Sequence, residues 1–84
     1  MTRDEIREAV LASLSQVAPE IEVETLEVDV DLRDQVDIDS MDLLNFFTAI
    51  HEKTGVDVPE SDYPRCSTVA DCVAYVAAKI GGSP

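Results

Sequence analysis

Apolar positions recur along this chain with a helical period in three places and with an alternating period in one. Thr2-Arg3-Asp4-Glu5 has the form of a capping box, with Thr2 as N-cap and Glu5 at the third helical position. Behind it Ile6, Val10, Leu14 and Val17 fall at spacings of four, four and three, one stripe of a helix predicted over 3–17. Pro19 ends it. A second stripe of Leu43, Phe46, Phe47 and Ile50 predicts a helix over 40–54. Asp39 is its natural N-cap, Ser40 its first residue and Asp42 its third, and Gly55 follows Lys53 as a stop. Met41, Leu44 and Thr48 lie on another face of that helix. Thr68-Val69-Ala70-Asp71 repeats the capping pattern before Val69, Cys72, Val73, Val76 and Ile80. Gly81-Gly82 should end this last helix, leaving 82–84 as a frayed tail. A short helical piece is expected at 60–64, stopped by Pro64.

The alternating stretch is Ile21, Val23, Leu26, Val28, Val30 and Leu32, interleaved with acids. Taken alone it predicts a strand. A strand here would have no partner elsewhere in the chain, and its backbone would go unpaired. Residues 18–39 are therefore expected to be a long loop that tucks Leu26 and Leu32 into a helical core. The fold expected is all-α: a small bundle of three main helices, one short helix and a long first connection, forming a single domain over 1–84.

Charge changes the picture more than composition does. Of 84 residues, 18 are acidic and 6 basic, for a net charge of −12. That balance repels nucleic acid and anionic membrane surfaces and favours partners with basic faces. The acids crowd into 18–42, where Arg33 is the only base. A chain this short buries only about 60–65% of its unfolded surface, leaving little room for a substrate pocket and a catalytic set together. Hydrophobic residues make up 45%, enough for an aliphatic core without tryptophan. Cys66 and Cys72 form neither a CxxC motif nor a zinc site and are expected to be buried free thiols. No signal-peptide core is visible, and no apolar run approaches the ~18 residues of a membrane span, so a cytoplasmic monomer is expected.

The candidate chemistry centres on Asp39-Ser40-Met41. A serine in the first turn of a helix, flanked by acids, is a poor nucleophile. The only histidine, His51, stands eleven positions on. No general base is placed beside Ser40, so it is expected to be modified rather than to attack. A calcium loop counted from Asp29 fails, because its sixth and twelfth positions are Asp34 and Ser40 where glycine and glutamate are required. His51 has no companions at metal-ligand spacing.

Asp39-Ser40-Met41 at the start of the second main helix resembles the attachment motif of the acyl carrier protein family. The resemblance extends over nearly the whole chain. Leu32 stands eight before the serine, Gly55 to Pro59 resembles the stretch after the family's second helix, and Thr68-Val69 and Tyr75-Val76 resemble its last helix. The resemblance implies 4′-phosphopantetheine carried covalently on Ser40, with Asp39 and Met41 flanking the attachment. It implies a free-standing, non-enzymatic carrier, modified by a phosphopantetheinyl transferase and moving acyl thioesters between enzymes of fatty-acid, polyketide or other specialised biosynthesis. Basic partner enzymes are expected to dock on Asp39, Met41, Asp42, Leu44 and Glu52, with Asp42 and Glu52 exposed; ordinary core packing competes for Met41 and Leu44. An acyl pocket between the second and last main helices would be lined by Phe46, Ile50, Cys66, Val69 and Cys72; a filled core competes with it.

Three positions depart from the family pattern. Asp37 stands where glycine is usual, and Asn45 and His51 where acids are common. They point towards a specialised pathway rather than housekeeping fatty-acid enzymes. Two other readings stay open: an aminoacyl or peptidyl carrier loaded by an adenylating enzyme, and an acidic helical adaptor without a prosthetic group.

Overall fold

The computed structural model describes residues 1–81; the expected tail at 82–84 lies outside them. Helix α1 spans Arg3–Val17, α2 Leu32–Gln35, α3 Ser40–Thr54 and α4 Val69–Ile80. A 3₁₀ turn covers Val23–Thr25, and a 3₁₀ helix covers Glu60–Cys66. No strand occurs among the described residues. The architecture is the all-α bundle expected, with α1 packed on α3 and α4, and the 3₁₀ helix packed on α4.

The caps explain the helix starts. The Thr2 hydroxyl accepts the Glu5 amide at 3.1 Å, and the Glu5 carboxylate accepts the Thr2 amide at 2.7 Å. The bond from the Thr2 amide holds the Glu5 carboxyl below its ordinary value. Thr68 accepts the Asp71 amide at 2.9 Å and starts α4. Gly55 ends α3 at φ 77°, a left-handed conformation in which a Cβ is strained, and its amide donates to the His51 carbonyl.

The three predicted stripes meet in one core. Ile6, Val10 and Leu14 of α1, Phe46, Phe47 and Ile50 of α3, and Val69, Cys72, Val73 and Val76 of α4 are all buried together. Ser13 is the one buried polar residue among those described, and its hydroxyl donates to the Ala9 carbonyl at 2.7 Å, so no buried side-chain polar atom among the described residues is left unsatisfied.

The first connection is more ordered than a plain loop. Its alternating apolar residues do turn inward without forming a strand: Leu32 is buried, and Leu26 packs against the core from the side. The missed element is α2. Asp31 caps it by accepting the Arg33 amide at 2.8 Å. Gln35, at its end, works as a clamp. Its side-chain amide donates to the carbonyls of Glu27 and Val30, and its oxygen accepts the Glu27 amide. Two backbone bonds fasten this segment to the far end of the chain: the Leu32 amide to the Ser67 carbonyl at 2.8 Å, and the Ala70 amide to the Val28 carbonyl at 3.0 Å. The loop thus satisfies its backbone without a sheet.

A second correction concerns Pro64. It does not stop the short helix at 64; the 3₁₀ turn runs through it to Cys66. Proline forfeits a single bond in this tighter helix, and the segment is exposed around Pro64, so water can take the carbonyl left over. Tertiary ties hold it in place. The Tyr75 hydroxyl donates to the Asp62 carboxylate at 2.5 Å, and the Tyr63 ring stacks on Phe47 with centroids 4.3 Å apart.

Candidate functional site

Asp39 has extended backbone and turns the chain into α3. Its carboxylate accepts the Asp42 amide at 2.9 Å, and the Asp42 carboxylate accepts the Asp39 amide at 3.3 Å. This capping box fixes the first turn around Ser40. Ser40 is exposed, and no hydrogen bond engages its hydroxyl among the described residues. The backbone amides of Ser40 and Met41 have no acceptor there either. Two free amides at the positive end of a fifteen-residue helix favour an anion. The carboxylates of Asp39 and Asp42 oppose it, but each is already turned onto a backbone amide of the same box. A phosphodiester on the Ser40 oxygen fits this corner: an outward hydroxyl, open space, and two amides free to face it.

Three strips run along α3 from this corner. Met41 is 63% exposed and Leu44 49%, so neither packs in the core; they form an apolar ridge with Thr48 one turn further on. On a second strip Asp42, Asn45 and Glu52 line a shallow depression with Gln16 and Val17 of α1. Glu52 is exposed as expected. Asp42 is only half exposed, because its carboxylate folds back to the Asp39 amide. His51 is exposed, on the outer face of the helix. Asp37 is exposed and does not adopt the positive φ that a glycine there would permit.

The third strip, Leu43 and Phe47, forms one wall of a groove of about 270 Å³. Leu32 and Arg33 of α2 and Tyr63, Pro64 and Cys66 of the 3₁₀ helix complete it. Of the five residues expected to line an acyl pocket, Cys66 alone reaches this groove. Phe46, Ile50, Val69 and Cys72 are buried in the core behind it. Leu32, Leu43, Phe47 and Tyr63 were missed as groove residues. They come from three separate segments, and no short-range pattern unites them.

Cys66 and Cys72 are free and buried. The Cys72 thiol donates to the Cys66 sulfur, and that bond, together with burial, pushes the Cys72 thiol far above its ordinary value. Such a thiol stays protonated and inert. No helix among the described residues is long and apolar enough to cross a membrane.

The model of the family described as "Phosphopantetheine attachment site" matches residues 8–76. The chain is similar to the acyl carrier protein of Renibacterium salmoninarum, at 33% identity covering 83% of this chain and 90% of that protein. It is 37% identical to the acyl carrier protein of Rhodococcus erythropolis, over 83% of this chain and 80% of the relative. That of Campylobacter hominis is 29% identical over 87% and 86%. The chain therefore belongs to the acyl carrier family, proteins that are carriers rather than enzymes and that hold 4′-phosphopantetheine covalently on a serine.

Proposed function

We propose that Ser40 is the serine that carries 4′-phosphopantetheine, transferred to it from coenzyme A by a phosphopantetheinyl transferase. The observation that carries this reading is the corner itself: an exposed, unengaged hydroxyl at the first residue of α3, beside two backbone amides with no acceptor. The other serines within the matched span are placed differently. Ser13 is buried and bonded to a carbonyl, Ser15 and Ser67 are partly buried, and Ser61 lies in the short 3₁₀ helix. Ser40 contributes its oxygen to the new phosphodiester and gives up its proton to the transferase, while the pyrophosphate bond of coenzyme A breaks and its adenosine bisphosphate half leaves. The bound group supplies a thiol, which this chain cannot offer from its own buried cysteines. In this reading the protein delivers acyl thioesters between enzymes with basic docking faces. Met41 and Leu44 make the apolar contact, and Asp39, Asp42 and Glu52 the charged one. The departures at Asp37, Asn45 and His51 favour partners in a specialised acyl pathway.

The test is the intact mass of the protein after incubation with coenzyme A, magnesium and a broad-specificity transferase. One phosphopantetheine increment is expected on the parent and none on Ser40→Ala, with the fold of the variant unchanged. An increment on the variant would move the attachment to another serine.

A further inference from the structure

We propose that Cys66 and Cys72 form a redox site: a peroxide entering the groove oxidises Cys66, and Cys72 then closes a reversible disulfide that fastens the end of the 3₁₀ helix to α4. The site goes beyond the carrier reading and does not depend on Ser40. Cys66 is the last residue of the 3₁₀ helix, and Cys72 is the fourth of α4. The Cys72 thiol donates to the Cys66 sulfur, so the two sulfurs are already in contact. The backbone around them is pinned. Only Ser67 and Thr68 lie between the two elements: the Ser67 carbonyl accepts the Leu32 amide at 2.8 Å, and the Thr68 hydroxyl accepts the Asp71 amide at 2.9 Å. The bond from Tyr75 to Asp62 ties the same two elements together a second time.

Access is one-sided. Cys66 is part of the wall of the groove of about 270 Å³, whereas Cys72 is fully buried in the core behind it. A water molecule occupies about 30 Å³, so a groove of this size admits hydrogen peroxide. The reachable sulfur is also the reactive one. The hydrogen bond from Cys72 favours a negative Cys66 sulfur and holds that thiol below its ordinary value, against burial and the carboxylates of Asp62 and Asp71. The Cys66 thiolate attacks one peroxide oxygen, the O–O bond breaks, and hydroxide leaves and takes a proton to become water. Cys66 is now a sulfenic acid, and the negative sulfur that held the Cys72 proton is gone. The Cys72 sulfur attacks the Cys66 sulfur, the S–O bond breaks, and the hydroxyl leaves with the Cys72 proton as a second water. Two thiols give up two electrons, and one peroxide takes them. Closing the bond brings the sulfurs to about 2 Å. The 3₁₀ side yields for this last movement, because its hydrogen bonds are poorer than those of an α-helix and Pro64 donates none.

The test treats the folded full-length chain with a small excess of hydrogen peroxide and follows intact mass. The parent should lose two hydrogen masses and regain them with dithiothreitol. Asp71 separates the two cysteines, so after cleavage at Arg65, Asp71 and Lys79 the two fragments should stay joined until reduced. Cys72→Ser should stop at a Cys66 sulfenic acid, trapped by dimedone. Cys66→Ser should lose its remaining thiol at least about tenfold more slowly than the parent loses Cys66. Alanine replaces serine wherever a variant loses its helical circular dichroism. Ser40→Ala should oxidise as the parent does, which keeps the result separate from the carrier reading. Two thiols still free in the parent would overturn the proposal, as would dimers linked between chains or a product that dithiothreitol does not reverse. A Cys66→Ser chain oxidised as fast as the parent would overturn it too, since the groove would then not be the route.

Discussion

Asp39 is at once the cap of α3 and a charge beside the proposed attachment serine, and the two roles separate by substitution. Asparagine caps a helix about as well as aspartate, because its side-chain oxygen can still accept the Asp42 amide. Asp39→Asn should therefore stay within about 0.5 kcal/mol of the parent in urea unfolding, while Asp39→Ala loses about 1 kcal/mol. If the transferase reads the charge, both variants slow phosphopantetheine transfer to a similar extent. A parental rate in Asp39→Asn would confine Asp39 to capping. Tyr75 offers a second test, driven by pH. Its bond to the Asp62 carboxylate favours the neutral phenol and holds it up at about 12, against an ordinary value near 10. Raised in the folded state, Tyr75 contributes stability that is complete below about pH 10 and is lost as pH rises through about 12. Tyr75→Phe should be less stable than the parent at pH 8, and the gap should narrow as pH rises past about 10 and close only by about pH 12. A gap that holds constant over that range would show that the bond contributes nothing specific to the neutral phenol.

At the scale of elements, the first connection depends on Gln35. Its three hydrogen bonds to Glu27 and Val30 replace the ladder a strand would have supplied. Gln35→Ala leaves those backbone groups to water, at about 1 kcal/mol of global stability. Hydrogen exchange at the Glu27 amide should accelerate far more than at the α1 core amides; uniform acceleration would mean that the clamp is only one contact among many. The contrast with the helices shows what could be seen in the sequence. Thr2, Asp39 and Thr68 were identifiable as caps because each acts on a residue three positions away. Ile6 to Leu14 and Phe46 to Ile50 were identifiable as core because burial repeats with the helical period. Helix α2, four residues long, is too short to show a period. Gln35 acts across five and eight residues with no composition signal, and the 3₁₀ helix runs through Pro64 because Asp62 and Tyr63 are held from α4 and α3. The corner proposed for attachment could be read from Asp39-Ser40-Met41. The groove could not, since Leu32, Phe47 and Tyr63 meet only after three segments pack.

At the scale of the whole molecule, charge dominates. The 18 acids far outnumber the 6 bases, and the ion pair seen among the described residues, Arg33 with Asp31 at 3.6 Å, is on the surface. Such a pair neutralises little of the field, so most of the −12 faces outward. A field of this kind acts on approaching partners before any contact forms, which places its effect on association rather than on dissociation. The apolar ridge of Met41 and Leu44, if it is the docking contact proposed above, acts only after contact, and so on dissociation. The two contributions should separate in stopped-flow kinetics with a basic-faced partner such as the transferase. Raising salt from about 50 to 500 mM shortens the screening length from roughly 14 to 4 Å, and the association rate should fall by about tenfold. The dissociation rate should move by less than about twofold. Met41→Ala and Leu44→Ala should reverse this, leaving the association rate and its salt slope intact while dissociation speeds up by about five- to tenfold. Association rates that ignore salt would assign the acidic surface to solubility alone. Dissociation rates indifferent to both ridge variants would move the docking contact off α3.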